Sequence, residues 1–204
     1  MDANAALLQT VRVLTEVIDA ADPHSRGRSE RLARWTLAVA RDLGVPASEW
    51  PTIELGALLH DLGRYALLND VVQTPRALEP GERALVQTHP TVGHDLLKGI
   101  PGMAAAAELV LAHHERPDGK GYPRGLTGDA IPMGARLIMV CAAYDAMTEE
   151  RPYRHGLPSQ AACAELRRHA GTQFFAEVVE SFVRLQSTGA LGDAPGTSSQ
   201  RHGA

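Results

Sequence analysis

The sequence is poor in cysteine and in aromatic residues, and each shortage narrows what the chain can be. Its two cysteines, Cys141 and Cys163, lie in apolar stretches without the spacing of metal ligands, so we expect reduced thiols of a cytosolic protein. Only 4% of the residues are aromatic, against 44% hydrophobic residues in all, so Leu, Val and Ala must fill most of the core. Segments rich in Ala and Leu favour helices.

A positive charge excess and long apolar runs are also lacking. The formal charge of −4 gives no general attraction to a nucleic-acid polymer or an anionic membrane, so phosphate binding requires local cations or a metal ion. No stretch approaches the ~18 apolar residues of a membrane span, and the first residues lack the basic segment of a signal peptide. We therefore expect a cytoplasmic protein.

Hydrophobic periodicity predicts an all-α fold. Apolar residues recur at helical spacing from Leu7 to Ile18 and between Ser29 and Leu43, and Pro51 opens a third helix that ends at His60-Asp61. Further helices are predicted at 81–89, 91–99, 103–115, 131–150, 159–169 and 173–187. No run alternates between apolar and polar residues over a length that would indicate a strand.

The length of 204 residues favours one domain with a tail. We expect the domain at residues 1–188, with an N-terminal helix at 1–20 and the core at 21–188. Residues 189–204 are rich in Gly, Ser, Ala and Thr and lack an apolar period. They are expected to form a disordered tail or the start of a linker.

One run of eleven residues, 113–123, joins paired imidazoles to a cationic loop bent by glycine and proline: His-His-Glu-Arg-Pro-Asp-Gly-Lys-Gly-Tyr-Pro. Adjacent histidines project roughly 100° apart on a helix, so one ion can bind both only near a helix end. Pro117 and the glycines stop the helix there. Such a loop suits a phosphorylated ligand beside a metal, which makes Arg116, Lys120 and Tyr122 candidates for substrate binding.

Histidines at helix ends form a second signal. His60-Asp61, His89 and His113-His114 all fall at ends or junctions of predicted helices. A lone histidine is more often structural than a ligand, but their joint occurrence predicts a metal centre. Imidazole nitrogens together with a bridging carboxylate suit iron, manganese or zinc, and such ions activate water for attack on phosphorus.

These motifs resemble HD-GYP domains, a branch of the HD phosphohydrolase superfamily whose best-known activity is hydrolysis of the bacterial messenger cyclic di-GMP. The resemblance covers roughly residues 20 to 185. It rests on His60-Asp61-Leu62-Gly63-Arg64, His89-Pro90, the run at 113–123, Asp145-Ala146-Met147-Thr148 and Arg151-Pro152-Tyr153-Arg154. It implies a bundle of roughly seven to nine helices, with the GYP loop (residues 115–123) beside a site of two or three metal ions.

The resemblance also implies residue roles. The implied ligands of one or two divalent transition-metal ions, with iron or manganese favoured over zinc, are His60, Asp61, His89, His113 and His114. Asp61 and Arg64 are the implied catalytic residues. Arg151 and Arg154 match positions that contact the substrate phosphates, a role that suits the planar guanidinium group.

Two ligand positions depart from the family pattern. Arg28 stands where the first metal-binding histidine is normal, and Ala142 stands where the last metal-binding aspartate is expected. By family analogy one ion keeps its ligands Asp61, His89, His113 and His114. The neighbouring ion keeps only His60 and the shared Asp61.

The lost ligands leave two ways to fill the second position. The guanidinium of Arg28 can occupy the space, because it mimics part of a cation's charge although it cannot ionise water. Alternatively, His24 and Asp145 are candidate substitute ligands, since they lie at helical spacing from Arg28 and Ala142.

Two functions stay open. The first is a metal-dependent phosphodiesterase, a hydrolase of cyclic di-GMP or a related cyclic dinucleotide that is impaired by the two replacements. The second is a catalytically inactive domain that binds a nucleotide or a signalling-protein partner. A stand-alone hydrolase of nucleoside phosphates is weaker, because the damaged residues belong to the superfamily's minimal set. A homodimer through the N-terminal helix is also open.

Overall fold

The all-α prediction is confirmed by the computed structural model, which describes residues 3–21, 27–67, 79–150 and 155–192. Over these residues the chain forms ten α-helices and two isolated β-bridges, without a strand. The helices are α1 (Ala3–Ala21), α2 (Arg28–Asp42), α3 (Trp50–Leu59), α4 (Leu62–Ala66), α5 (Pro80–Val86), α6 (His89–Leu97), α7 (Ala104–Ala112), α8 (Met133–Thr148), α9 (Ser159–Arg168) and α10 (Ala176–Ser187).

The helix count exceeds the expected seven to nine because of α4, which has only five residues. A helix this short has no hydrophobic period to detect, and it contains Gly63, a residue type that disfavours helices. The boundary between α5 and α6 also differs from the prediction. His89 begins α6, with Pro90 in the first turn, where proline costs no hydrogen bond.

Helix α8 forms the centre of the core and packs against α2, α3, α7, α9 and α10. Trp35 of α2, Tyr144 of α8 and Phe182 of α10 are fully buried and meet edge to face or at a tilt, with ring centroids 4.8–6.1 Å apart. Around them the core is filled by aliphatic side chains, as the composition predicts. Both cysteines are free thiols; Cys141 is buried and Cys163 is partly buried.

The packed part of the chain extends past the expected domain boundary at residue 188. Leu191 is only 4% exposed, and its carbonyl accepts a hydrogen bond of 2.8 Å from Nε1 of Trp35. An isolated leucine after a helix gives no periodic signal, so its burial could not be predicted. The tail was expected at residues 189–204, and its residues 193–204 lie outside the described residues.

None of the described helices combines the length and the apolar character that a bilayer crossing needs.

Helices α4, α6 and α7 meet through glycines. A Cβ atom on Gly63 would lie 2.0 Å from the carbonyl oxygen of His89 and 2.7 Å from the backbone nitrogen of Gly93. A Cβ atom on Gly93 would lie 2.9 Å from Cγ1 of Val110 in α7. The backbones of α4 and α6 therefore approach each other more closely than any side chain at these positions would allow.

We expect Gly63→Ala to destabilise the protein by about 1–3 kcal/mol, because the added methyl group forces α4 away from α6. The measurement is the free energy of unfolding in urea. Gly81→Ala is the matched control: Gly81 is helical, and a Cβ atom there meets nothing within 4 Å. That variant should be neutral or slightly more stable. Equal stability of the two variants would contradict the close packing.

Candidate metal centre

Four histidines and one aspartate come together where helices end or begin. His60 and Asp61 follow α3, His89 opens α6, and His113 and His114 follow α7. His60, His89 and His113 are each at most 4% exposed. Atoms of His89, His113 and His114 that could bind a metal all lie within 4.8 Å of one another. Segments far apart in sequence thus place their imidazoles at one point.

Three of these imidazoles are oriented by backbone carbonyls. Nδ1 contacts a carbonyl oxygen three residues earlier in each case: His60 with Ala57 at 2.9 Å, His89 with Val86 at 2.8 Å and His113 with Val110 at 2.6 Å. These carbonyls lie in the last turns of α3, α5 and α7, where helices leave acceptors without partners. Because a carbonyl only accepts, Nδ1 carries the hydrogen and Nε2 of the neutral ring is left as an acceptor.

Burial keeps the imidazoles of His89, His113 and His114 neutral. It lowers the pKa of His113 well below the usual value, and the neighbouring His114, His60 and His89 lower it further. Burial, followed by the charge of His89, lowers the pKa of His114 to about 3. The pKa of His89 is also lowered, chiefly by burial. Near pH 7 these rings therefore present lone pairs and no charge.

The lone pairs of His89 and His113 face each other. The two Nε2 atoms are 3.3 Å apart, and in the tautomers set by the carbonyls neither has a hydrogen to donate. Two buried acceptors at this distance repel each other unless a proton or a cation lies between them. Since burial disfavours the proton, the donor set fits a metal cation.

Asp61 lies between these imidazoles and a group of arginines. Its Oδ1 is 3.4 Å from Nε2 of His89, and its Oδ2 is 3.4 Å from Nε2 of His60 and 3.1 Å from a terminal nitrogen of Arg64. Burial alone would raise the pKa of Asp61, but the positive charges of Arg64 and Arg28 hold it well below its usual value. The carboxylate is therefore ionised and can face a cation on the histidine side.

The GYP loop packs on the centre through Tyr122. The phenol ring stacks on the imidazole of His114, with centroids 4.7 Å apart and planes 18° from parallel, and the backbone nitrogen of Tyr122 donates to the carbonyl of His114. Burial raises the pKa of Tyr122, so the hydroxyl group stays protonated. Only glycine fits at position 121, where the loop folds back against its own start, because a Cβ atom there would lie 2.4 Å from the backbone nitrogen of Arg116.

Glu115 holds the loop, a role that the sequence did not reveal. Its side chain is 1% exposed; Oε1 accepts the backbone N–H of Arg124 at 2.7 Å, and Oε2 accepts that of Leu126 at 2.8 Å. The position of Glu115 directly after the paired histidines was visible. However, nothing in the residue spacing indicates that its partners are backbone groups nine and eleven residues later.

The predicted cations of the loop differ in their surroundings. The guanidinium of Arg116 makes two hydrogen bonds with the carboxylate of Asp118, at 2.9 and 2.6 Å. Lys120 is exposed to solvent. The other predicted residues Arg151, Arg154 and His24 lie outside the described residues.

Asp145, a predicted substitute ligand, lies among arginines. Its carboxylate is fully buried, and Oδ1 accepts hydrogen bonds from Nε and a terminal nitrogen of Arg31, at 2.9 and 2.7 Å. Oδ2 is 2.9 Å from Nε of Arg28, an ion pair that is not aligned as a hydrogen bond. Ala142, one turn earlier, is partly buried against the core. A role of Asp145 in metal binding therefore stays a prediction.

Comparisons with known proteins agree with this architecture. The profile of a family described as "HD domain" matches residues 12–178. The cyclic di-GMP phosphodiesterase response regulator RpfG of Xanthomonas campestris is 35% identical over 86% of this chain and 47% of its own length. The 3'3'-cGAMP-specific phosphodiesterase 3 of Vibrio cholerae is 34% identical over 79% of this chain and 35% of its own length.

A solved structure shows the same fold. It is a protein of Bdellovibrio bacteriovorus described as an HDG"Y"P protein, with a TM-score of 0.65 and 21% identity over 78% of this chain and 51% of that one. The chain spans half or less of the length of the two curated relatives. These matches confirm the resemblance inferred from the sequence: the chain belongs to the HD domain family and is related to its HD-GYP phosphodiesterases.

Proposed function

We propose that this chain binds a divalent transition-metal ion through His89, His113, His114 and Asp61 and hydrolyses a phosphodiester bond of cyclic di-GMP or a related cyclic dinucleotide. The observation that carries the proposal is the pair of buried, neutral Nε2 atoms of His89 and His113, 3.3 Å apart without a donor. The relatives are named as phosphodiesterases of cyclic di-GMP and 3'3'-cGAMP, which supports the choice of substrate class.

The ligand set suits iron or manganese, with zinc as the other candidate, because it combines imidazole nitrogens with a carboxylate oxygen. When bound, such an ion supplies Lewis acidity, which lowers the pKa of water and offsets phosphate charge. The backbone carbonyls of Val86 and Val110 hold the rings of His89 and His113 in the ligating tautomer.

The other residues of the site bind and orient. Arg64 fixes the Asp61 carboxylate by its contact of 3.1 Å and brings a positive charge to the phosphate. Tyr122, stacked on His114, forms a flat wall of the centre and keeps its hydroxyl group as a donor. In the GYP loop, Lys120 is exposed and can move to contact a ligand phosphate. Arg116 attracts the phosphate less strongly, because Asp118 offsets part of its charge. Arg151 and Arg154 are assigned to the substrate phosphates by family resemblance.

A second function is favoured by Arg28, whose charge acts on Asp61. In this alternative the domain keeps the metal and the cyclic dinucleotide but does not turn it over, and it signals through a protein partner or a homodimer. The apolar side chains Val13, Leu14 and Val17 of α1, each about half exposed or more, would form that contact. Both functions imply a protein of the cytoplasm, the compartment in which the nucleotide messenger is found.

We expect His113→Ala to lower metal occupancy and cleavage of cyclic di-GMP by roughly 100-fold or more, because it removes a buried ligand. Metal is measured by elemental analysis of protein purified without chelator, and cleavage in buffer supplemented with iron or manganese. The control is His94→Ala, since His94 contacts Asp95 and Glu108 away from the centre. Equal metal content in both variants would contradict the metal centre. Metal-loaded wild-type protein without cleavage would favour the second function.

The metal-free protein should lose stability on acidification. The pKa values of His89, His113 and His114 are lowered in the folded protein, whereas those of the unfolded chain lie near ~6.5. These neutral imidazoles therefore contribute their full stabilisation above the unfolded pKa. As the pH falls below that value, the free energy of unfolding decreases by about 1.4 kcal/mol per pH unit for each proton that only the unfolded chain takes up.

The measurement is the free energy of unfolding of chelator-treated protein between pH 7.5 and 5.0. The loss should be smaller in His113→Ala, which has one fewer buried imidazole. A free energy that does not change over this range in the wild-type protein would show that the imidazoles titrate normally, in conflict with their burial.

Removal of the Glu115 carboxylate should loosen the GYP loop without removing the metal. In Glu115→Ala the two backbone N–H groups of Arg124 and Leu126 lose their acceptor, which costs about 1–3 kcal/mol for each group that stays buried. We expect normal metal content, weaker binding of cyclic di-GMP in calorimetry and faster cleavage of the loop by a protease. Unchanged nucleotide affinity would show that the loop does not contact the ligand.

A further inference from the structure

The two sides of the Asp61 carboxylate differ in charge. Oδ1 faces neutral acceptors, of which His89 is nearest at 3.4 Å. Oδ2 faces Arg64 at 3.1 Å and Nε2 of His60 at 3.4 Å, and Arg28 lines the same small cavity as His60 and Asp61. The charge of Arg28 also acts on Asp61. Oδ1 therefore faces an imidazole, whereas guanidinium charge acts where Asp61 and His60 line this cavity. This asymmetry decides how many metal ions the centre can take.

Arg28 is held firmly in this position. It is the first residue of α2, and Asp19 of α1 caps that helix by accepting from the backbone nitrogen and the hydroxyl group of Ser29, at 3.0 and 2.9 Å. The side chain is 14% exposed and lies 2.9 Å from Asp145 and 4.0 Å from Glu149. Burial lowers the pKa of Arg28, but Asp61, Asp145 and Glu149 outweigh it and raise that pKa, so the guanidinium is permanently charged.

Among the described residues, the charges on this side balance without a metal. Three guanidinium groups, those of Arg28, Arg31 and Arg64, face three carboxylates, those of Asp61, Asp145 and Glu149. Both oxygens of Asp145 are engaged by arginines. A divalent ion next to His60 would add uncompensated charge beside a guanidinium, and the part of the chain that the structure describes offers it no free carboxylate other than the shared Asp61.

We infer that the guanidinium of Arg28, held by Asp145, is a fixed cation that takes the place of a second metal ion beside Asp61, so that the centre binds one ion per chain. The inference rests on the proposed metal centre at His89, His113 and His114. Arg28 supplies positive charge to Asp61 and to a nearby phosphate but cannot ionise water. It is therefore a positioning residue, and only the ion on the histidine side can activate water.

The test is a metal count at saturating Mn²⁺, by equilibrium dialysis and elemental analysis. Wild-type protein should hold one ion per chain. Arg28→His should hold two, because it removes the cation, adds an imidazole near His60 and releases Oδ2 of Asp145. Two ions in the wild-type protein overturn the inference, as does a single ion in a folded Arg28→His protein.

Arg31→His is the matched control. Arg31 pairs with the same carboxylate, but its charge is not among those that act most strongly on Asp61, so this variant should keep one ion. Arg28→Lys keeps the charge and should also keep one ion. A wild-type protein without any bound metal would contradict the proposed function itself, whereas a count of two contradicts only the role of Arg28.

A second measurement does not depend on creating a new site. Arg28→Met removes the charge but keeps the apolar stem, so Mn²⁺ should bind on the histidine side roughly threefold to tenfold more tightly at low ionic strength. Arg31→Met should leave this affinity unchanged. Equal affinities of wild-type protein and Arg28→Met would show that the charge of Arg28 is not felt at the centre.

Discussion

The site depends on the bonds from imidazole Nδ1–H groups to carbonyls in the last turns of three helices. These carbonyls have no partner within their helices, and the imidazoles satisfy them. The same bonds fix the tautomer, so that Nε2 of each ring is an acceptor. At His60, His89 and His113, the hydrogen bond that satisfies a carbonyl at the helix end therefore also orients the imidazole as a metal ligand. Buried, unpaired acceptors follow from it, and their repulsion is relieved only by a cation.

Convergence of these helix ends is set by backbone contact rather than by large side chains. Gly63 follows Asp61 by two residues and lies against the first turn of α6, whose first residue is His89. Gly93, one turn further along α6, lies against Val110 of α7, whose carbonyl orients His113. Gly63 thus lies where the segment after Asp61 meets α6, and Gly93 lies where α6 meets α7. Each glycine joins two of the segments that carry the predicted metal ligands. The packing of α4, α6 and α7 and the distances within the centre have the same origin.

The amino-acid pattern reveals helix ends better than it reveals partners. Proline, glycine and the apolar period placed His60, His89 and His113 at helix ends, and the all-α fold followed from the same signals. By contrast, α4 is too short to show a period, and Leu191 is a single apolar residue in a polar segment. The pairing of Arg28 with Asp145 joins residues 117 positions apart, and Glu115 bonds to backbone groups. Such contacts depend on tertiary packing, which local spacing does not encode.

Ligand binding and catalysis can separate in this chain because its two kinds of cation do different work. At the same distance a guanidinium attracts a phosphate with half the charge of a divalent ion, and it leaves the pKa of water unchanged. In the proposed centre, Arg28 in place of one metal therefore preserves part of the electrostatic attraction for a cyclic dinucleotide, while all water activation depends on the histidine side. In the proposed centre, one ion held by His89, His113 and His114 suffices for binding. Turnover requires in addition that this ion, with Asp61 and Arg64 beside it, lowers the barrier to hydrolysis.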